Sequence, residues 1–104
     1  SIAANTGAGT SPTISISGTD TAGTITLTTG SSPATSADVL TVTFAAAFSA
    51  APQVVFSPAN GNAATLSGNA AVYVTPATGT FKLSTGSSGL TGSTQYKWTY
   101  HVIQ

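Results

Sequence analysis

The 104-residue chain has no cysteine, which excludes disulfides and thiolate metal sites and leaves stability to packing alone. It is also almost without charge. Asp20, Asp38, Lys82 and Lys97 are 4% of the residues and cancel at neutral pH, where ordinary soluble domains carry about 25% charged residues. Two lysines cannot neutralise a row of phosphates, so nucleic acid and anionic membrane surfaces are poor partners. No apolar run approaches the roughly 18 residues of a spanning helix. No charged segment leads into an apolar one as a targeting signal would, and membrane insertion is not expected. Methionine is absent as well, so the chain is expected to be a domain excised from a longer protein.

The same shortages narrow the chemistry. The sole histidine, His101, has no cysteine, glutamate or second histidine near it, so a three-ligand metal centre would need Asp20 and Asp38 to converge on it from other strands. No G-x-S-x-G elbow is present for a hydrolytic serine. The only carboxylates available as a glycosidase pair, Asp20 and Asp38, sit in turn clusters where aspartate usually bonds its own backbone. Glycine-rich pieces such as GAG at 7–9 precede strands and never a helix, which does not suit phosphate binding. The expectation is a non-catalytic protein with no metal and no cofactor.

What is present is alternation. TISIS, TITLT, VLTVTF, QVVFS, AVYVT, TFKLS and YKWTYHVI each repeat apolar and polar residues with a period of two, the signature of strands. Turn clusters separate them at 17–23, 29–38, 57–69, 76–79 and 84–94. The organising stretch is Val39 to Pro58, two strands whose inward residues are Leu40, Val42, Phe44, Val54 and Phe56, joined by a small-residue loop ending at Pro52. About six to seven short strands at this spacing predict an all-β, antiparallel β-sandwich. A domain of this size buries roughly two-thirds of its unfolded surface in one core. In the last strand Tyr96, Trp98, Tyr100 and Val102 share one face, and such a dense aromatic row is expected in the core. No helix is predicted, although AAAFSAA at 45–51 has room for one helical turn. Residues 1–12 lack periodicity and read as a linker or arm, with the sandwich occupying 13–104.

The outward set is mostly threonine and serine, wet but uncharged. Four positions break the pattern: Val39, Val55, Tyr73 and Ile103 are expected to be outward and apolar. Together with His101, placed near an oligomer axis, they are the expected subunit interface, because charge depletion is what interface cores share. For ligand contact the 57–69 loop offers Asn60, Asn62 and Asn69, with Tyr73 just beyond it, since binding groups concentrate on loops held by a rigid scaffold. The competing explanation is that Asn60-Gly61 only supplies turn geometry.

The run through Phe44, Phe48 and Ala51-Pro52-Gln53-Val54, followed by TGTFKLST and the closing YKWTYHVI, resembles the C-terminal head domains of bacteriophage tail-fibre proteins. The opening GAGTSPTISISGTDTAGTITLTTG is similar to the start of such a module. The F-x3-F-x3-P-x-V run and the tryptophan-bearing last strand also resemble H-type lectin domains, which are six-stranded sandwiches that form trimers. The resemblance implies a homotrimer at the end of a virion fibre, with residues 1–12 joining an upstream shaft. It further implies attachment to a host-cell surface receptor, with carbohydrate among the candidate ligands, and action outside the host cell. Lectin ligand residues have no counterparts in this chain. A structural trimerisation or capping domain that touches no receptor is the alternative.

Overall fold

Alternating β-branched residues fit a pleated, half-buried surface, and every segment with that alternation is a strand. A computed structural model describes residues 1–103. One four-stranded sheet contains, in spatial order, β1 (Ile2–Ala4), β4 (Asp38–Thr43), β7 (Thr80–Thr85) and β6 (Val72–Pro76). The second contains β2 (Thr13–Gly18), β3 (Ala22–Thr28), β8 (Gln95–Ile103) and β5 (Gln53–Pro58). All neighbouring pairs are antiparallel. Pro58 and Pro76 sit at the ends of edge strands, where a missing N–H breaks no ladder.

The inner faces meet in one core. Leu40, Val42, Phe81 and Leu83 of the first sheet face Ile25, Leu27, Tyr96, Trp98, Tyr100 and Val102 of the second, all buried. The aromatic row of β8 is interior, as its alternation predicts. Phe81 lies 5.4 Å from Tyr100 between ring centres and bridges the two layers. Phe56, expected to be inward, is only partly buried against this cluster. The radius of gyration, 12.7 Å, matches the roughly 13 Å of a single domain of about 100 residues.

Three features depart from the sequence reading. Residues 1–12, expected to be an arm, supply an eighth strand, with Ile2, Ala3 and Ala4 paired to Val42, Thr41 and Leu40. The segment continues into a single 3-10 turn, Thr6–Ala8, that buries Gly7 and Ala8, and Thr10 then bridges Ser31. A three-residue strand is too short to display a period. Glycines mark where this segment packs closely: a Cβ on its Gly7 would lie 2.6 Å from the Asp38 carbonyl oxygen, and one on Gly30 of the 29–37 loop would collide with the Thr10 carbonyl.

Val39, expected outward at the interface, is fully buried. The pairing of β4 with β7 shifts register between Asp38 and Leu40, so two successive residues, Val39 and Leu40, turn inward. A bulge of this kind breaks the alternation that placed Val39 on the surface. The 45–51 segment stays non-helical, and Phe44 packs edge-on against Phe48 at 4.9 Å. Finally, the one short α-helix among the described residues, α1 (Gly61–Ala64), lies in the 57–69 loop, where no helix was expected.

Strand directions sort the connections by end. The far end carries the long loops 5–12, 29–37, 59–71 and 86–94. At the near end lie the short 19–21 and 77–79 turns, the 44–52 loop, the start of β1 and the end of β8.

Candidate functional site

The outer face of the first sheet holds two of the chain's four charged side chains, Asp38 and Lys82. Asp38 on β4 and Tyr73 on β6 both stand opposite Ser84 of β7, so the three residues form one rung across the sheet. Strands lie about 4.8 Å apart, which sets Asp38 and Tyr73 about 10 Å apart along the backbone. Tyr73 is 56% exposed. The Ser84 hydroxyl donates to Asp38 Oδ1 at 2.7 Å, and Lys82 Nζ stands 3.5 Å from Asp38 Oδ2. The next rung joins Thr75, Lys82 and Thr41, and Asn5 Nδ2 donates to Thr41 Oγ1 at 2.8 Å.

The Ser84 hydrogen bond outweighs partial desolvation and, with the nearby Lys82 ammonium, holds the Asp38 carboxyl below the usual carboxylate range. The group is therefore an ionised acceptor at neutral pH. Asp38 also borders a surface groove of about 750 Å³ shared with Asn5, Thr6, Pro12 and Ser36. The backbone around this end is strained: Ser11, Ser32, Ser36 and Ser93 all adopt left-handed φ values of 57°, 52°, 49° and 51°. Such conformations cost on the order of 1–3 kcal/mol each for non-glycine residues and cluster at functional surfaces.

The expected receptor residues divide into two groups. Asn60 caps α1, its Oδ1 accepting from Ala63 N at 2.9 Å and from Lys97 N at 3.3 Å, while its Nδ2 donates to the Gln95 carbonyl at 3.1 Å. Asn62 Nδ2 donates to the same carbonyl at 2.9 Å. Both side chains tie the loop to β8. Asn69 is exposed, and its carbonyl accepts from Ser88 N at 3.0 Å, next to the end of β7 where Tyr73 pairs. Tyr73 is thus separated from Asn60 and Asn62, and its cross-strand neighbour is Ser84.

The expected interface also separates. His101 stands opposite Val55, and Ile103 opposite Gln53. Val55 and Ile103, 54% and 57% exposed, therefore flank His101 on the outer face of the second sheet. Tyr73 belongs to the outer face of the other sheet, and Val39 to the core. Among the described residues no group of three or more histidine, cysteine, aspartate or glutamate side chains converges.

The sequence points to Asp38 only as a metal ligand or glycosidase carboxylate and does not single out Lys82 or Ser84. Alternation in TFKLS does turn Lys82 and Ser84 outward, but Asp38 reads as part of a turn cluster. Which strands neighbour one another is not encoded in any local pattern. The chain matches no family model, no curated protein and no solved structure.

Proposed function

We propose that the chain is a non-catalytic attachment module, the head domain of a bacteriophage tail fibre, which binds a receptor on the host-cell surface. The observation that carries this reading is the placement of exposed Tyr73 and the Asp38–Lys82 pair on one sheet face, either side of the buried Ser84, in a chain with only four charged residues. An exposed aromatic ring with mixed hydrogen-bonding groups is recognition chemistry, whereas an exposed ion pair adds only about 0–1 kcal/mol of stability. The geometry of the ends is favourable too. A shaft joined ahead of Ser1 would attach at the near end, leaving the long loops on the free tip.

The module acts as a homotrimer on the virion, outside the host cell, with the second sheet's outer face around Val55, His101 and Ile103 as the contact between copies. Three linked weak sites multiply avidity without a strong single contact. The second reading, a trimerisation or capping domain with no receptor, is favoured by one observation: the side-chain amides of Asn60 and Asn62 are engaged with the Gln95 carbonyl of β8. Fluorescently labelled chain applied to a panel of bacterial cells separates the two. Staining of the host supports attachment, and uniformly dark cells leave only the structural role.

A further inference from the structure

We infer that Asn60 is a self-modification site, an asparagine that cyclises onto Gly61 and deamidates, and that the fold keeps it intact by building its carboxamide into the β5–β8 ladder. β5 stops at Pro58, which pairs with Trp98. Beyond it Ala59 N donates to the Lys97 carbonyl at 2.8 Å. Asn60 then continues the ladder with its side chain: Lys97 N donates to Oδ1 at 3.3 Å, and Nδ2 donates to the Gln95 carbonyl at 3.1 Å. A carboxamide carries an acceptor oxygen and a donor nitrogen, so it stands in for a peptide unit here. The same Oδ1 accepts from Ala63 N at 2.9 Å, and Asn62 Nδ2 joins on the Gln95 carbonyl at 2.9 Å. The 59–71 loop is latched to β8 through this one amide and its neighbour.

The next residue sets the chemistry. Asparagine is among the chemically labile side chains, and glycine has no Cβ to screen its amide nitrogen or restrict its backbone. Nothing in the fold asks for glycine at 61: a Cβ there would meet no atom within 4 Å, and its φ lies outside the left-handed region. In the cyclisation the Gly61 nitrogen gives its proton to solvent and bonds to Asn60 Cγ, while the bond from Cγ to Nδ2 breaks and ammonia leaves. Water then opens the cyclic imide at either carbonyl, giving aspartate or isoaspartate. Both products undo the latch. Aspartate sets an oxygen where Nδ2 donated, against the Gln95 carbonyl oxygen, and two acceptors cannot bond. Isoaspartate adds a carbon to the main chain ahead of α1 and displaces the cap. Closing the ring also requires Asn60 to leave its extended conformation, φ −147° and ψ 171°, and to release all three hydrogen bonds. At a factor of about five for each bond, the folded state slows the reaction by roughly a hundredfold. None of this depends on what the chain attaches to.

To test this, the full chain is aged at one mildly alkaline pH and one temperature, in native buffer and in urea above its unfolding midpoint, and tandem mass spectrometry locates each converted asparagine. In urea Asn60 should convert well ahead of Asn5, Asn62 and Asn69, whose following residues, Thr6, Ala63 and Ala70, all carry a Cβ. In native buffer its conversion should be slower by roughly a hundredfold. Gly61→Ala, in open space, should fold normally and bring Asn60 down to the rate of the other asparagines in urea. Asn62→Ala, which takes the second amide off the Gln95 carbonyl, should speed native conversion by about fivefold. Thermal melting verifies that both variants are folded, and if Asn62→Ala is not, the wild-type comparison decides alone. Chain aged in urea and then refolded should exchange the Ala63 and Lys97 amide hydrogens faster than fresh chain refolded in the same way. Asn60 converting no faster than Asn5 in urea, or unchanged by Gly61→Ala, overturns the site. Equal rates in native buffer and urea overturn the protection, and unchanged exchange after ageing overturns the latch.

Discussion

At Asn60 one side chain makes three hydrogen bonds, to the first turn of α1 and to both Gln95 and Lys97 of β8. An asparagine here is an N-cap that also fastens a loop. Replacing a cap of this kind by alanine costs about 1 kcal/mol, and Asn60→Ala should lower the urea midpoint by a corresponding amount without changing the slope. The dipeptide Asn60-Gly61 reads as turn geometry, yet Asn60 is extended and caps a helix whose first residue is Gly61. The bonds from Asn60 to β8 were not readable, because they join residues 35 or more positions apart. Val39 shows the converse. Read by period two it is a surface residue, yet a one-residue slip in the ladder buries it completely. Val39→Ala should therefore cost about 2 kcal/mol in equilibrium unfolding, where truncation of a solvent-facing valine would change almost nothing.

Among elements, the 44–52 loop has no ladder partners of its own and is braced from outside. Asp20, in the β2–β3 turn, accepts from Ala45 N at 2.9 Å and from Ala46 N at 3.2 Å. These two backbone donors hold its carboxyl below the usual carboxylate range. Because the folded value lies below the unfolded one, the stabilisation is fully present above the unfolded value. It is lost as pH falls through the ordinary carboxylate range to the lowered folded value. Hydrogen-exchange protection at Ala45 and Ala46 should fall across that acidic window in the wild type, and Asp20→Asn should remove most of the pH dependence. Tyr100 secures the same turn from beneath, its hydroxyl donating to the Thr19 carbonyl at 2.6 Å. Burial raises its pKa, with a smaller push from Asp20. Alternation alone identified seven of the strands. It missed β1, whose register comes from β4 and not from its own three residues.

For the whole molecule, two sheets in one sandwich present two different outer faces. One carries the Tyr73 rung; the other carries serine and threonine with Val55, His101 and Ile103 at its near end. If the second is the contact between copies, sedimentation at micromolar concentration gives a three-chain species, and Val55→Lys shifts it to monomer by placing an unpaired charge in a desolvated contact. A wild-type chain that sediments as a monomer would reject that assignment. The sandwich class was legible because strands announce themselves locally. The pairing order β1-β4-β7-β6 was not, and that order alone brings Asp38, Ser84 and Tyr73 onto one rung.

The ion pair between Asp38 and Lys82 has an ecological corollary. Proteins that catch their targets with fields of charge lose grip as dissolved ions screen those fields over about 10 Å at 0.1 M. Here the opposed charges touch and sum to nothing, leaving no long-range field at that face to be screened. If the chain is an attachment module, its adhesion measured from dilute buffer to brackish and marine salinity should stay nearly level, so one module would serve equally in a freshwater stream and an estuary.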